Sequence, residues 1–256
     1  MLPSLFISHG SPMLALRPSA SGPALAQLAA SLPRPKAIVL VSAHWETADL
    51  QVTRSSAPGT WHDFHGFPEA LYRLQYPAPG LPELAERVIH LLAQANLPAT
   101  ADEQRPLDHG AWVPLSLMYP KADIPVVQLS LPSAAGPALQ TRIGQALRDL
   151  RNEGVLLIGS GSITHNLREL DWQAGPSNIA PAWAQDFRDW IVDRLQRDDE
   201  AALHAYRQQA PYATRNHPTD EHLLPLFFAR GAGDRFQVEH QGFSEGTLGM
   251  DIYSFH

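Results

Sequence analysis

The chain has 256 residues and a formal charge of −7, from 19 Lys and Arg against 26 Asp and Glu. Its 44% hydrophobic and 18% charged content allows a sizeable core and excludes global disorder, while the acid excess argues against a nucleic-acid partner. With no cysteine, disulfide scaffolds, thiolate metal sites and cysteine nucleophiles are excluded.

In chain order, four short apolar runs read as strands: Leu2–Ser8, Ala37–Ala43, Ile124–Leu131 and Val155–Gly159. Each is continuous rather than alternating, which fits strands covered on both faces. Between and after them lie helical patterns. Leu81–Ala95 places Leu84, Val88, Leu91 and Leu92 on one face. Ala138–Arg151 groups Ile143, Leu147 and Leu150, and Ala182–Leu195 carries Trp183, Phe187, Trp190 and Ile191. Thr219 reads as the N-cap of a helix through Phe227 that ends at Gly231. Phe236–Val238 and Met250–Phe255 read as edge strands. The alternation predicts an α/β fold: a single domain over 1–256, with a central mixed, largely parallel sheet flanked by helices. No apolar run approaches the roughly 20 residues of a membrane-spanning helix, and the N-terminus lacks a basic leader region. A cytoplasmic protein with no membrane partner is expected.

The 12 histidines carry the chemical signal through their positions. His9 follows the first strand in ISHGSP, His44 the second in VLVSAHWE, and His165 the fourth in LLIGSGSITHNL. His109, in LDHGAW, and His222, in TDEHLLPL, stand at predicted helix starts. In open α/β sheets, ligands bind beyond the carboxyl ends of the strands. Each of these histidines taken alone is most often a hydrogen-bonded loop residue; the joint pattern points to one crevice. His62, His65, His90, His204, His240 and His256 read as ordinary surface or packing residues, and His217 as intermediate. Trp45 and Trp112 are either substrate-stacking or core residues. Gly159–Ser162 reads as an anion-binding turn or a plain connection.

Neutral imidazoles suit Zn(II) and Fe(II). Three of them leave the ion's charge uncompensated, which favours an anionic ligand such as a deprotonated catechol. Three other functions compete. A metal-dependent hydrolase would use the same ion to activate water. A serine hydrolase would need Ser160 or Ser162, but GSGS lacks the G-x-S-x-G elbow. A non-enzymatic metal- or ligand-binding protein is the third.

At these residues the sequence resembles the DODA-type extradiol ring-opening dioxygenases of the LigB-like class III superfamily. The resemblance rests on SHGSP at 8–12, SAHW at 42–45, DFHGFPEALY at 63–72, YPAPG at 76–80, LDHGAWVPL at 107–115, ADIPVVQLS at 122–130, GSGSITHNL at 159–167 and EHLLPL at 221–226. It implies His9, His44 and His222 as metal ligands, with His165 as general base or an alternative fourth ligand. It implies that His109 holds oxygen or the substrate hydroxyl. Fe(II) is then the expected working metal, Zn(II) an alternative occupant, and a small aromatic catechol with O2 the substrates. His65 departs from the tyrosine of many relatives, and bears on substrate preference if it faces the pocket.

Overall fold

The computed structural model describes residues 1–175, 177 and 179–256. The strands are β1 (Ser4–Ser8), β2 (Ala37–Glu46), β3 (Leu50–Thr53), β4 (Ala99–Asp102), β5 (Val126–Leu131), β6 (Val155–Gly161), β7 (Phe236–His240), β8 (Phe243–Ser244), β9 (Leu248–Gly249) and β10 (Ile252–Phe255). Eight of them form one sheet in the order β4-β3-β5-β2-β6-β1-β10-β7. The central run β5-β2-β6-β1 is wholly parallel, whereas β10 pairs antiparallel with β1, and β7 antiparallel with β10. The fold is therefore α/β with a mixed sheet, as the alternation of elements implied.

Successive side chains of a strand point to opposite faces, and here both faces are covered. Leu5, Ile7, Ile38, Leu40, Leu156 and Ile158 pack on one side with Leu25 and Leu28 of α1 (Ser21–Ser31). Phe6, Val39, Val41 and Leu157 face the other. There they meet α2 (Pro82–Gln94) through Val88 and Leu92, and further helices of the same layer. Each fully buried aliphatic side chain contributes about 1.5–3 kcal/mol, which fixes the register of the central strands. The remaining long helices are α3 (His109–Met118), α4 (Gly136–Leu147), α5 (Ala182–Gln196) and α6 (Leu224–Ala232).

Three expectations need correction. The last helix starts at Leu224, with Pro225 in its first turn, and runs through Gly231. Residues 219–223 are turns, and Thr219 Oγ1 bonds the Glu221 carboxylate instead of capping a helix. Strand β10 is interior, paired with β1 and β7, so of the two C-terminal strands β7 is the one at an edge. Strands β2 and β6 run longer than their apolar cores, which places His44 inside β2, near its carboxyl end, rather than after it. No helix among the described residues is long and apolar enough to cross a membrane.

Candidate metal centre and catalytic cavity

Strands β2, β6 and β1 are parallel neighbours, so their carboxyl ends open on one crevice. His9 leaves the end of β1, and His44 stands near the end of β2. His222 arrives from the turn before α6. Close packing brings it there: a Cβ on Gly161 would strike the His222 carbonyl, and Ser162 N–H donates to that carbonyl at 2.8 Å. The GSGS segment is thus the end of a strand that admits the His222 turn, not an anion-binding loop. Ser160 and Ser162 both spend their hydroxyls on backbone carbonyls, which disfavours either as a nucleophile.

Nitrogen atoms of His9, His44 and His222 lie within 4.8 Å of one another. His9 Nδ1 is 3.0 Å from Ser160 Oγ. Because that hydroxyl donates to the Gly110 carbonyl, it must accept from His9 Nδ1–H. His9 Nε2 therefore carries a lone pair. The Nε2 atoms of His9 and His44 stand 3.0 Å apart. His222 Nδ1 donates to Glu221 Oε1 at 2.9 Å, and its buried Nε2 has no hydrogen-bond partner among the described residues. An orphaned buried nitrogen beside two other imidazole nitrogens fits a divalent cation held by three Nε2 atoms. Partners on the opposite ring nitrogens are the usual supports of such ligands.

A second set, His44, Asp63 and His109, is also compact. Two of its atoms are already spent on each other: Asp63 Oδ1 accepts from His109 Nδ1–H at 3.0 Å and from His109 N–H at 2.9 Å. Asp63 Oδ2 is 3.9 Å from His44 Nδ1. The three-histidine set is the better ion site.

Burial favours the neutral form of His9, His44, His165 and His222. Burial, and then the neighbouring imidazoles, hold His9 and His222 well below the usual histidine range. Burial and His109 lower His44 to about 4, and burial lowers His165 to about 3. Burial opposes ionisation of Asp63, but the bonds from His109 win and hold its carboxyl below the ordinary range.

Beneath His44 lies a fully buried carboxylate, Asp108. It accepts from Ser42 Oγ at 2.6 Å, from Gln128 Nε2, and from Arg105 at 3.3 Å. Arg105 also donates to the His44 carbonyl at 2.9 Å and stacks on Trp61. A buried charge so paired braces the strand end and the start of α3 together. Gly110 completes this floor, since a Cβ there would crowd Ser42 and His44.

Above the cluster is a cavity of about 660 Å³. Phe64, His65 and Phe67 wall one side, and Leu167, Leu170 and Trp172 another. His109 and His165 both face it. His65, read from sequence as an ordinary residue, lines the mouth and is exposed. Trp45 and Trp112 are core residues; the tryptophan at the cavity is Trp172. His217 is buried away from it and donates to the Ile163 carbonyl at 3.0 Å. Asp63 escaped the sequence reading, because a single loop carboxylate far in sequence from His109 leaves no spacing signal.

Residues 4–256 match the family model described as the catalytic LigB subunit of aromatic ring-opening dioxygenase. The chain is 42% identical to a protein of Escherichia coli K12 named 4,5-DOPA dioxygenase extradiol, over 97% of this chain and 93% of that one. It is 41% identical to a protein of the same name from Beta vulgaris, over 98% and 96%. A crystal structure of an uncharacterized protein from Escherichia coli K12 superposes with a TM-score of 0.82 at 34% identity, covering 100% of both chains.

Proposed function

From the premise that the chain belongs to the LigB family of aromatic ring-opening dioxygenases, we propose that it opens a catechol ring of the DOPA class by extradiol cleavage with O2. The whole of 1–256 acts as one catalytic domain. The observation that carries the reading is the convergence of His9, His44 and His222, with the His222 Nε2 buried and unpartnered.

Those three residues would hold a divalent metal. Fe(II) is the working ion in this proposal, because ring opening with O2 needs redox chemistry that Zn(II) lacks. The protein supplies the rest. Phe64, Phe67 and Trp172 give an aromatic ring flat surfaces to lie against. The apolar walls limit water near the reacting ring. His109 presents Nε2 to the cavity, where it can bond or accept a proton from a substrate hydroxyl. His165, neutral and beside His222, is the second proton acceptor within the same space. Two acceptors match a substrate that arrives with two hydroxyl protons.

The test is anaerobic loading with Fe(II), followed by a catechol panel scored for oxygen uptake and a coloured ring-opened product. Turnover of esters or amides without oxygen, and none of catechols, would replace this reading with the hydrolase. A zinc-loaded chain should bind catechols and leave them intact.

A further inference from the structure

We propose that Asp63 is the positioning residue that sets the orientation and tautomer of His109, delivering a lone pair at His109 Nε2 to the cavity. The inference deepens the dioxygenase reading above and rests on it only for the meaning of the lost turnover.

One carboxylate oxygen does the work. Asp63 Oδ1 accepts the His109 backbone N–H at 2.9 Å and its ring Nδ1–H at 3.0 Å. Gripping a residue by both backbone and ring fixes its χ angles as well as its place at the start of α3. A carboxylate can only accept, so the proton must reside on Nδ1 and the lone pair on Nε2. The side chain of Asp63 is 8% exposed, so the bonds are sheltered from competing water.

Asp63 is itself anchored. Trp61 N–H donates to the Leu107 carbonyl at 2.8 Å, and Trp112 Nε1–H donates to the Trp61 carbonyl at 2.9 Å. The loop is thereby tied to both ends of the turn that leads into α3. Phe64 and His65, next along the same loop, line the cavity. One short segment therefore both walls the substrate space and aims His109. The rival role for Asp63 is metal ligation with His44 and His109. The existing bonds argue against it, because Asp63 Oδ1 and His109 Nδ1 are spent on each other, and His109 Nδ1 would have to lose its proton and its partner to bind an ion there.

The experiment is long-range ¹H–¹⁵N NMR of the zinc-loaded chain, with the His109 signals assigned from His109→Gln. The parent should show the Nδ1–H tautomer, and Asp63→Ala the Nε2–H form or an exchanging mixture. If the alanine variant does not fold, Asp63→Leu, near in size and with no acceptor, should give the same shift. In the iron-loaded enzyme, Asp63→Ala should lower kcat about tenfold or more with a smaller change in KM. In a His109→Gln background the same change should cost less than about twofold, since the two residues act as one unit. An Nε2–H tautomer in the parent, independent losses in the two backgrounds, or loss of bound metal in Asp63→Ala would each overturn the assignment. The tautomer is read without turnover. A chain that opens no catechol ring would therefore sink the proposed function while leaving the Asp63 result standing.

Discussion

The rings of His165 and His222 lie face to face, with centroids 3.4 Å apart and planes 7° from parallel. His165 backbone N–H is held by the Asn216 carbonyl at 3.0 Å, so the stack is set by the loop rather than by a ring hydrogen bond. His165 is thus beside the candidate ligands without belonging to the three-nitrogen set. Its replacement by alanine should leave most bound metal in place and lower kcat by about a hundredfold, in the range for a lost proton-transfer group. Metal analysis beside steady-state kinetics decides it. Loss of the ion would promote His165 to a fourth ligand.

Alanine at His9, His44 or His222 should abolish stoichiometric metal binding while circular dichroism still reports a folded chain. Retained metal in all three variants would dismiss the ligand assignment.

Ser160 both accepts from His9 Nδ1 and donates to the Gly110 carbonyl. Ser160→Ala removes the group that fixes the His9 tautomer. Metal affinity should weaken about 10- to 100-fold, the usual loss when a ligand's support is deleted. Competition with a chelator of known affinity measures it; an unchanged constant would mean the hydroxyl is not needed.

Stability of the metal-free protein should rise with pH between about 4 and 6.5. Burial depresses seven imidazoles: His9, His44, His165, His217 and His222 deep in the fold, and the less buried His240 and His256. The unfolded chain takes up protons on them near 6.5, and the folded chain does not, so acid favours unfolding. His217, lowered to about 4, alone accounts for about 3 kcal/mol across that window. Asp251 opposes the trend: burial raises its carboxyl to about 6, so its contribution fades as pH climbs from 3.8. Seven groups against one give the net sign. Urea midpoints of chelator-treated protein at stepped pH provide the check, and a falling profile would refute it.

His65→Tyr should change KM for catechols several-fold with little change in kcat, because His65 meets the cavity at its mouth. A panel of catechols with different side chains reads this directly, and a pure kcat effect would place His65 nearer the chemistry.

The central strands were legible because runs of Val, Ile, Leu and Phe fill β1, β2 and β6, and β5 departs from such a run only at Gln128 and Ser130, as doubly covered strands allow. Leu50–Thr53 and Ala99–Asp102 were not, since each is four residues long and mixes polar with apolar positions. Ser21–Ser31 is built largely from Ala, Ser and Gly, so it lacks a strong apolar stripe. The five site histidines stood out by their place after strands and before helices. Asp63 and Asp108 did not. Their roles depend on which loops meet over the strand ends, and that is decided by packing across the sheet rather than by local pattern. The start of α6 carried its own mark in Pro225, a residue suited to a first helical turn, which the Thr219 reading overlooked.

The three converging imidazoles also come from points far apart along the chain, His9 and His44 from strand ends and His222 from the turn before α6. In the proposed ion site, proteolytic nicking anywhere between residues 44 and 222 leaves the ligands on separate pieces. Retention of the ion by nicked protein would then report that the sheet still clamps those pieces together.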